Sequence, residues 1–299
     1  MTREGSEAAA HDKWAEWLLQ RRHGGDSERH QAILEELAAV RDRVIEHANI
    51  RMGDVVLDVG AGTGLIAFAA LDPVGPTGEV IFSDVSAQLL EAARAHAQEL
   101  GVAGRCRFVV ASAEDLAPIA DCSVDVVTTR SVLIYVRDKP RAFAEFFRVL
   151  RAQGRISLHE PINRLMYPEP AGEFLGYQVA AVQDLADKVK AFGEDCQGHE
   201  NPMLDFDEQD LLLLAERAGF REIHLELQEQ VATHRAPMPW ASFLSTSGNP
   251  LAPTYGETIA GALPPAERAR FEEHLRPLVE AGDMLRRLAV AEIWAEKTT

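Results

Sequence analysis

Asp58-Val59-Gly60-Ala61-Gly62-Thr63-Gly64 is the stretch of this chain best suited to holding a ligand. The run Val55-Val56-Leu57 ahead of it reads as a strand buried on both faces. The three glycines remove side chains where the backbone must turn tightly and approach a bound molecule. A helix starting near Gly64 would aim its free N–H groups at that molecule. The spacing is not that of a dinucleotide turn, because the third glycine of G-x-G-x-x-G would fall on Leu65. It is not a P-loop either, since no Lys follows the last glycine. About 20 residues on, Glu79-Val80-Ile81-Phe82-Ser83-Asp84 reads as a second strand ending in an acid. A carboxylate there can accept hydrogen bonds from two neighbouring hydroxyls. NAD enzymes use the same device, so Asp84 does not discriminate by itself.

Two further strands follow, Arg105 to Ala111 and Ser123 to Ser131, the first continuing into Ser112-Ala113-Glu114. This order of D-x-G-x-G-x-G, strand-two acid, small residue with acid, and fourth strand resembles the class I S-adenosylmethionine (SAM) methyltransferases. The likeness spans roughly residues 50 to 235 and is nearest to enzymes acting on quinones and secondary metabolites. Gln153 stands where that family often has glycine. The resemblance implies SAM contacts at Asp58, Gly60, Ala61, Gly62, Thr63, Gly64, Asp84, Val85, Ser112, Ala113, Glu114, Arg130 and Ser131.

These residues must be held by an α/β fold. Ser86 can cap a helix from Ala87 to Leu100, and Asp138 one that carries Phe143, Phe146, Phe147 and Leu150. Strands alternating with such helices predict a Rossmann-like, doubly wound, seven-stranded sheet, mostly parallel with the last strand antiparallel. Ligands bind such a sheet beyond the C-terminal strand ends, where all the candidates fall. Residues 1–50 read as a helical N-terminal lid over a 51–299 methyltransferase domain. Segments at about 162–204 and 235–284 read as cap insertions, the second rich in proline.

Methyl transfer from a sulfonium needs in-line placement and exclusion of water more than covalent help. An oxygen acceptor can also need a base, and His159, after the strand Arg155 to Leu158, is the preferred catalytic candidate. His23 and His199 are weaker ones. Trp14, Trp17, Tyr135, Glu160 and Tyr177 are candidate substrate contacts; Glu160 could instead order its own loop. The expected acceptor is a small, largely apolar, aromatic or polyketide-like molecule methylated on O or C, in a closed pocket near Tyr135 and His159. A SAM-binding protein without methyl transfer (a sensor, decarboxylase or hydroxylase) would carry the same motifs. His159, Glu160 and Asn163 lack a second motif for a metal, so no metal is expected.

The 299 residues carry a formal net charge of −17, which argues against nucleic acid as a partner. No apolar run approaches membrane-spanning length. Cys106, Cys122 and Cys196 form neither a zinc pattern nor an even disulfide set, which fits a cytoplasmic location. A homodimer is left open.

Overall fold

The computed structural model describes residues 12–24, 27–197 and 201–298, with the side chains of 27–32 and 34 outside the description. His199, Gly25 and Asp26 therefore lie outside the described residues. Helices α1 (Lys13–Leu19) and α2 (Ser27–Ala48) precede strand β1 (Val55–Val59). Alternation then gives α3 (Leu65–Val74), β2 (Glu79–Asp84), α4 (Ala87–Glu99), β3 (Cys106–Val110), β4 (Val124–Arg130), α5 (Lys139–Val149) and β5 (Leu150–Pro161). The two-residue strands β6 (Glu173–Phe174) and β7 (Tyr177–Gln178) lead to α6 (Gln183–Gln197), α7 (Glu208–Ala218) and β8 (Arg221–Arg235). Helices α8 (Trp240–Ser245), α9 (Tyr255–Ala262) and α10 (Pro265–Ala281) come before β9 (Asp283–Glu296).

The seven-stranded sheet runs β3-β2-β1-β4-β5-β9-β8, and β9 lies antiparallel between β5 and β8. The chain reverses its winding between β1 and β4, so the C-terminal ends of these strands diverge and leave a crevice. Val56, Leu57, Val80, Ile81, Val126 and Val127 are fully buried, as strands covered on both faces require. One apolar cluster joins the sheet to α5 and α7; another joins it to α2, α3 and α4.

Side chains set the element ends as the caps predict. Ser86 Oγ accepts the Leu89 N–H at 3.0 Å, and Asp138 Oδ1 accepts that of Arg141 at 3.0 Å. Gly64 does not face the crevice. A Cβ there would sit 2.5 Å from the Phe68 ring and 2.8 Å from that of Phe82, so this glycine lets α3 pack on β2.

The segments between β5 and α7 and between β8 and β9 meet in one apolar cluster that includes Phe174, Tyr177, Phe243, Ile259 and Phe271. Strands β8 and β9 extend beyond the sheet as a paired ribbon, from Glu229↔Ala289 out to Arg235↔Asp283. The ribbon carries this cluster: Leu285 N–H donates to Gly176 O at 2.9 Å, and Arg287 pairs with Glu173.

Candidate functional site

A cavity of about 400 Å³ opens over the ends of β1, β2 and β4. Asp58, Gly60, Ala61, Gly62, Thr63, Asp84, Val85, Ser112, Ala113, Glu114, Arg130 and Ser131 all line it, so of the expected cofactor set only Gly64 is missing.

The turn after β1 is built from left-handed residues, with Gly60 at φ 68° and Gly62 at φ 55°. A Cβ on Gly60 would strike the Val132 side chain. The Gly62 N–H donates to Asp84 Oδ2 at 2.8 Å, and the Ser86 N–H donates to Asp84 Oδ1 at 2.8 Å. Asp84 thus fixes the turn and the start of α4 with one lone pair on each oxygen. The lone pairs left over can accept from a ligand's two hydroxyls. Burial raises its pKa, against the pull of the Ser86 and Gly62 N–H groups.

Asp58 serves a different end. Its carboxylate accepts from Thr128 Oγ1 at 2.8 Å and from the Ala67 N–H at 3.1 Å, tying β1 to β4 and α3. Burial pushes it up to about 7, although those two hydrogen bonds favour its charged form. The ordinary value of 3.8 applies to the unfolded chain. The folded chain therefore holds this proton more tightly, and Asp58's contribution to stability falls as pH rises from about 4 to about 7. Urea melts of the parent and of Asp58→Asn isolate the effect. The parent's stability relative to the variant should decline from pH 5 to about 7.5; a flat difference would mean that Asp58 is ionised throughout.

On the other wall, the Glu114 carboxylate accepts the Asp138 N–H at 2.6 Å, and the Glu114 N–H donates to Ser112 Oγ at 3.2 Å. These contacts hold the Ser112–Glu114 bend at the cavity's edge.

The roof is α1, the Arg21–His23 turn and α2. Asp12 caps α1 through the N–H groups of Trp14 and Ala15, and its other oxygen accepts from Ser86 Oγ at 2.6 Å. The Trp14 ring meets Tyr135 edge-on at 5.0 Å. Trp17 Nε1 donates to Ser247 O at 3.0 Å, and the Ser247 N–H donates to Arg21 O at 3.0 Å. Gly24, at φ 58°, passes so close to the Ser242 carbonyl that no side chain fits. The N-terminal segment is therefore strapped to α4 at one end and to the segment around α8 at the other. Trp14, Trp17 and Tyr135 line the cavity as the sequence suggests. Leu18, Leu19, Arg22, His23, Ile33 and Leu37 line it as well, and of these only His23 stood among the sequence candidates.

Three expectations need correction. His159 does not line the cavity. Its ring is buried, with Nδ1 3.3 Å from Glu292 Oε1, in a cluster that Arg43 joins at 2.5 Å and His47 at 3.6 Å. His159 is therefore not found among the residues lining the cavity, and its Nδ1 is taken up by an acid on β9. Glu160 is also no substrate contact: it is 0% exposed. It accepts from Thr129 Oγ1 at 3.1 Å and from the N–H groups of Val132 and Ile134 at 3.0 and 3.4 Å. It folds the loop after β4, and not the loop that follows Glu160 itself. Tyr177 is 3% exposed in the cap cluster, 6.3 Å from the Phe243 ring, and away from the cavity. The cap aromatics Phe174, Trp240 and Phe243 likewise pack within that cluster, so the roof comes from the N-terminal segment.

Among the described residues one group has metal-ligand proximity, His47, Glu226 and Glu292, with ligand atoms within 4.8 Å of one another. It lies outside the cavity, and the Arg43 guanidinium already engages Glu292. No helix of the described residues is long and apolar enough to cross a membrane.

Residues 50–219 match the model of a family described as a methyltransferase domain. The ubiquinone/menaquinone biosynthesis C-methyltransferase UbiE of Pseudomonas savastanoi pv. phaseolicola is 32% identical over 203 residues, covering 65% of this chain and 77% of that protein. UbiE of Stutzerimonas stutzeri is 33% identical over the same shares. Among solved structures, the YcgJ protein from Bacillus subtilis shares the fold at 20% identity with a TM-score of 0.53, over 87% of this chain and 99% of that one. A geranyl diphosphate methyltransferase in complex with SAM does so at 20% identity and a TM-score of 0.51, over 92% and 94%. The glycine turn, the strand-two acid and the crevice they share are accounted for together: this chain belongs to the class I SAM-dependent methyltransferases.

Proposed function

We propose that this chain methylates a small, largely apolar acceptor of aromatic or polyketide-like type, on carbon or oxygen. One observation carries the reading. The cavity that begins at the glycine turn continues without a break onto an apolar wall of Trp14, Leu18, Leu37, Tyr135 and Val136. Such a wall suits a flat hydrophobic acceptor and keeps water out. The named activity of the UbiE relatives, C-methylation in quinone biosynthesis, is in keeping with it.

SAM would supply the electrophilic methyl group. The Gly60–Gly62 turn would receive its amino-acid portion, a turn that closes against the Val132 side chain at the cavity wall only because Gly60 has no Cβ. Asp84 would accept from the ribose hydroxyls, and Ala113 with Glu114 would border the adenine. Tyr135 is pushed up to about 12, mainly by burial, and so stays protonated as a hydrogen-bond donor. His159 is not among the cavity-lining residues, so the reading is built without it as a base. Helix α1 acts as a lid whose tie to Ser86 closes over Asp84.

Release of S-adenosylhomocysteine (SAH) from SAM with a panel of phenols, hydroquinones and amines tests the reading. Turnover is expected with the hydroxylated aromatics and none with the amines. SAM binding without SAH release from any of them would point to a binding protein of the same fold.

A further inference from the structure

Two arginines face this cavity from opposite sides. Arg130 ends β4, and Arg22 hangs from the strapped N-terminal turn with its guanidinium 5.3 Å from the centre of the Trp17 ring. Among the described residues neither has a carboxylate at ion-pair distance, and Arg130 makes only a 3.4 Å contact to Ser131 Oγ. Elsewhere in this acidic chain arginines are generally paired, Arg155 with Asp54 and Arg287 with Glu173 among them.

The two guanidinium groups are close enough to feel each other. Burial, and then repulsion from Arg130, lowers Arg22 to about 10. Burial also lowers Arg130. Glu160 and Asp58 attract Arg130 from a distance, but burial raises the pKa of both acids and their oxygens serve other donors. SAM would add a sulfonium and an ammonium against one carboxylate. Asp84 and Glu114 also line the cavity, but among the described residues no carboxylate stands at ion-pair distance from either arginine, and uncompensated charge in an apolar setting is costly.

We propose that Arg22 and Arg130, beside the Tyr135 hydroxyl, form the seat of a planar oxyanion on the methyl acceptor, a ring carboxylate or an ionised phenol. The inference rests on the methyltransferase reading and narrows its substrate class. A phenolate held there, its proton released to bulk water on binding, would be a stronger nucleophile than the phenol. As the S–CH₃ bond of SAM breaks and SAH leaves, transfer to its oxygen would need no general base, and transfer to a ring carbon would end with the displaced ring proton passing to water. A carboxylate held there would orient the ring under the roof.

Quenching of Trp14 and Trp17 fluorescence can read this with simple probes. The probes are 2-naphthoate and its neutral counterpart 2-naphthamide, each titrated with and without saturating SAH. The naphthoate should bind about tenfold or more tightly than the amide. Arg22→Met and Arg130→Met should each erase most of that preference, Arg22→Met with SAH affinity as in the parent, and Arg22→Lys should restore part of it. The absorbance of added 4-nitrophenol separates the two sources: a bound pKa lowered by about one unit marks a phenolate seat, and an unshifted one a carboxylate seat. Equal binding of naphthoate and naphthamide overturns the proposal. So do Arg→Met variants that weaken SAH binding and keep the naphthoate preference, because the arginines would then hold the cofactor's own carboxylate. If Arg130→Met does not fold, Arg22→Met decides alone, since its residue sits in the roof. A parent chain that fails to bind SAH overturns the methyltransferase reading instead, and the titration without SAH still decides the seat.

Discussion

Asp84→Ala is expected to weaken SAH binding by about a hundredfold, because hydrogen bonds to a charged group are worth roughly 1.5–3 kcal/mol each and more than one is lost. The loss has two sources in the structure. The ribose contacts disappear, and the buried N–H groups of Gly62 and Ser86 lose their acceptor. The second effect loosens the turn that receives the cofactor's other end. Asp84→Asn should fall between parent and alanine, because its amide oxygen can serve one of those N–H groups and its NH₂ cannot accept from the other. Calorimetric titration with SAH gives the order directly. Parent-like affinity in both variants would mean that the strand-two acid does not touch the cofactor.

Gly60→Val should abolish SAH binding within the range of calorimetry while leaving the chain folded. The residue stands at φ 68°, and the new side chain would run into Val132 at the cavity wall. The backbone must then move out of the conformation that admits a ligand. Backbone strain alone has a built-in control. Gly101 has nearly the same angle, φ 69°, with nothing within 4 Å of a Cβ. Gly101→Ala should lower stability by about 1 kcal/mol, the strain of a left-handed side chain, with SAH affinity unchanged. Both changes would show as a lower denaturation midpoint, but only Gly60→Val should lose the rise in midpoint that added SAH gives the parent. If Gly60→Val keeps that rise, the glycine turn is not the cofactor's seat.

The roof explains why the cavity needs its N-terminal segment. Asp12 to Ser86, Trp14 to Tyr135 and Trp17 to Ser247 join three separate parts of the chain across the opening. Each contact is modest by itself, a neutral or charge-assisted hydrogen bond or a ring edge. Together they hold Arg22 and Leu18 over the turn, where Leu18 Cδ2 would lie 3.2 Å from a Cβ on Gly62.

The doubly wound, seven-stranded architecture and most of the residues that line the cavity were legible in the sequence because they rest on local signals. Glycine spacing sets the turn, an acid ends β2, Ser86 and Asp138 cap their helices, and buried runs mark the parallel strands. The far half of the β8–β9 ribbon was not legible, since Gln228-Glu229-Gln230 is exposed on both faces and carries no apolar alternation. Nor was the fate of Glu160 and His159. Both lie near the end of β5 as neighbours, but one reaches the N–H groups of the loop after β4 and the other Glu292, 133 residues away. Gly64 shows the same limit within the motif itself, packing on Phe68 and Phe82 where the pattern implies a cofactor contact. What the sequence determined by itself is the chemistry that hangs on short spacings: the turn, the acid at the strand end, and the crevice that a doubly wound sheet must open. What only the tertiary structure decided is which distant side chains close that crevice. Arg22 and two tryptophans reach it through the strapping of α1 to α4 and to the segment around α8, and that placement depends on contacts between residues up to 230 positions apart, which no local pattern encodes.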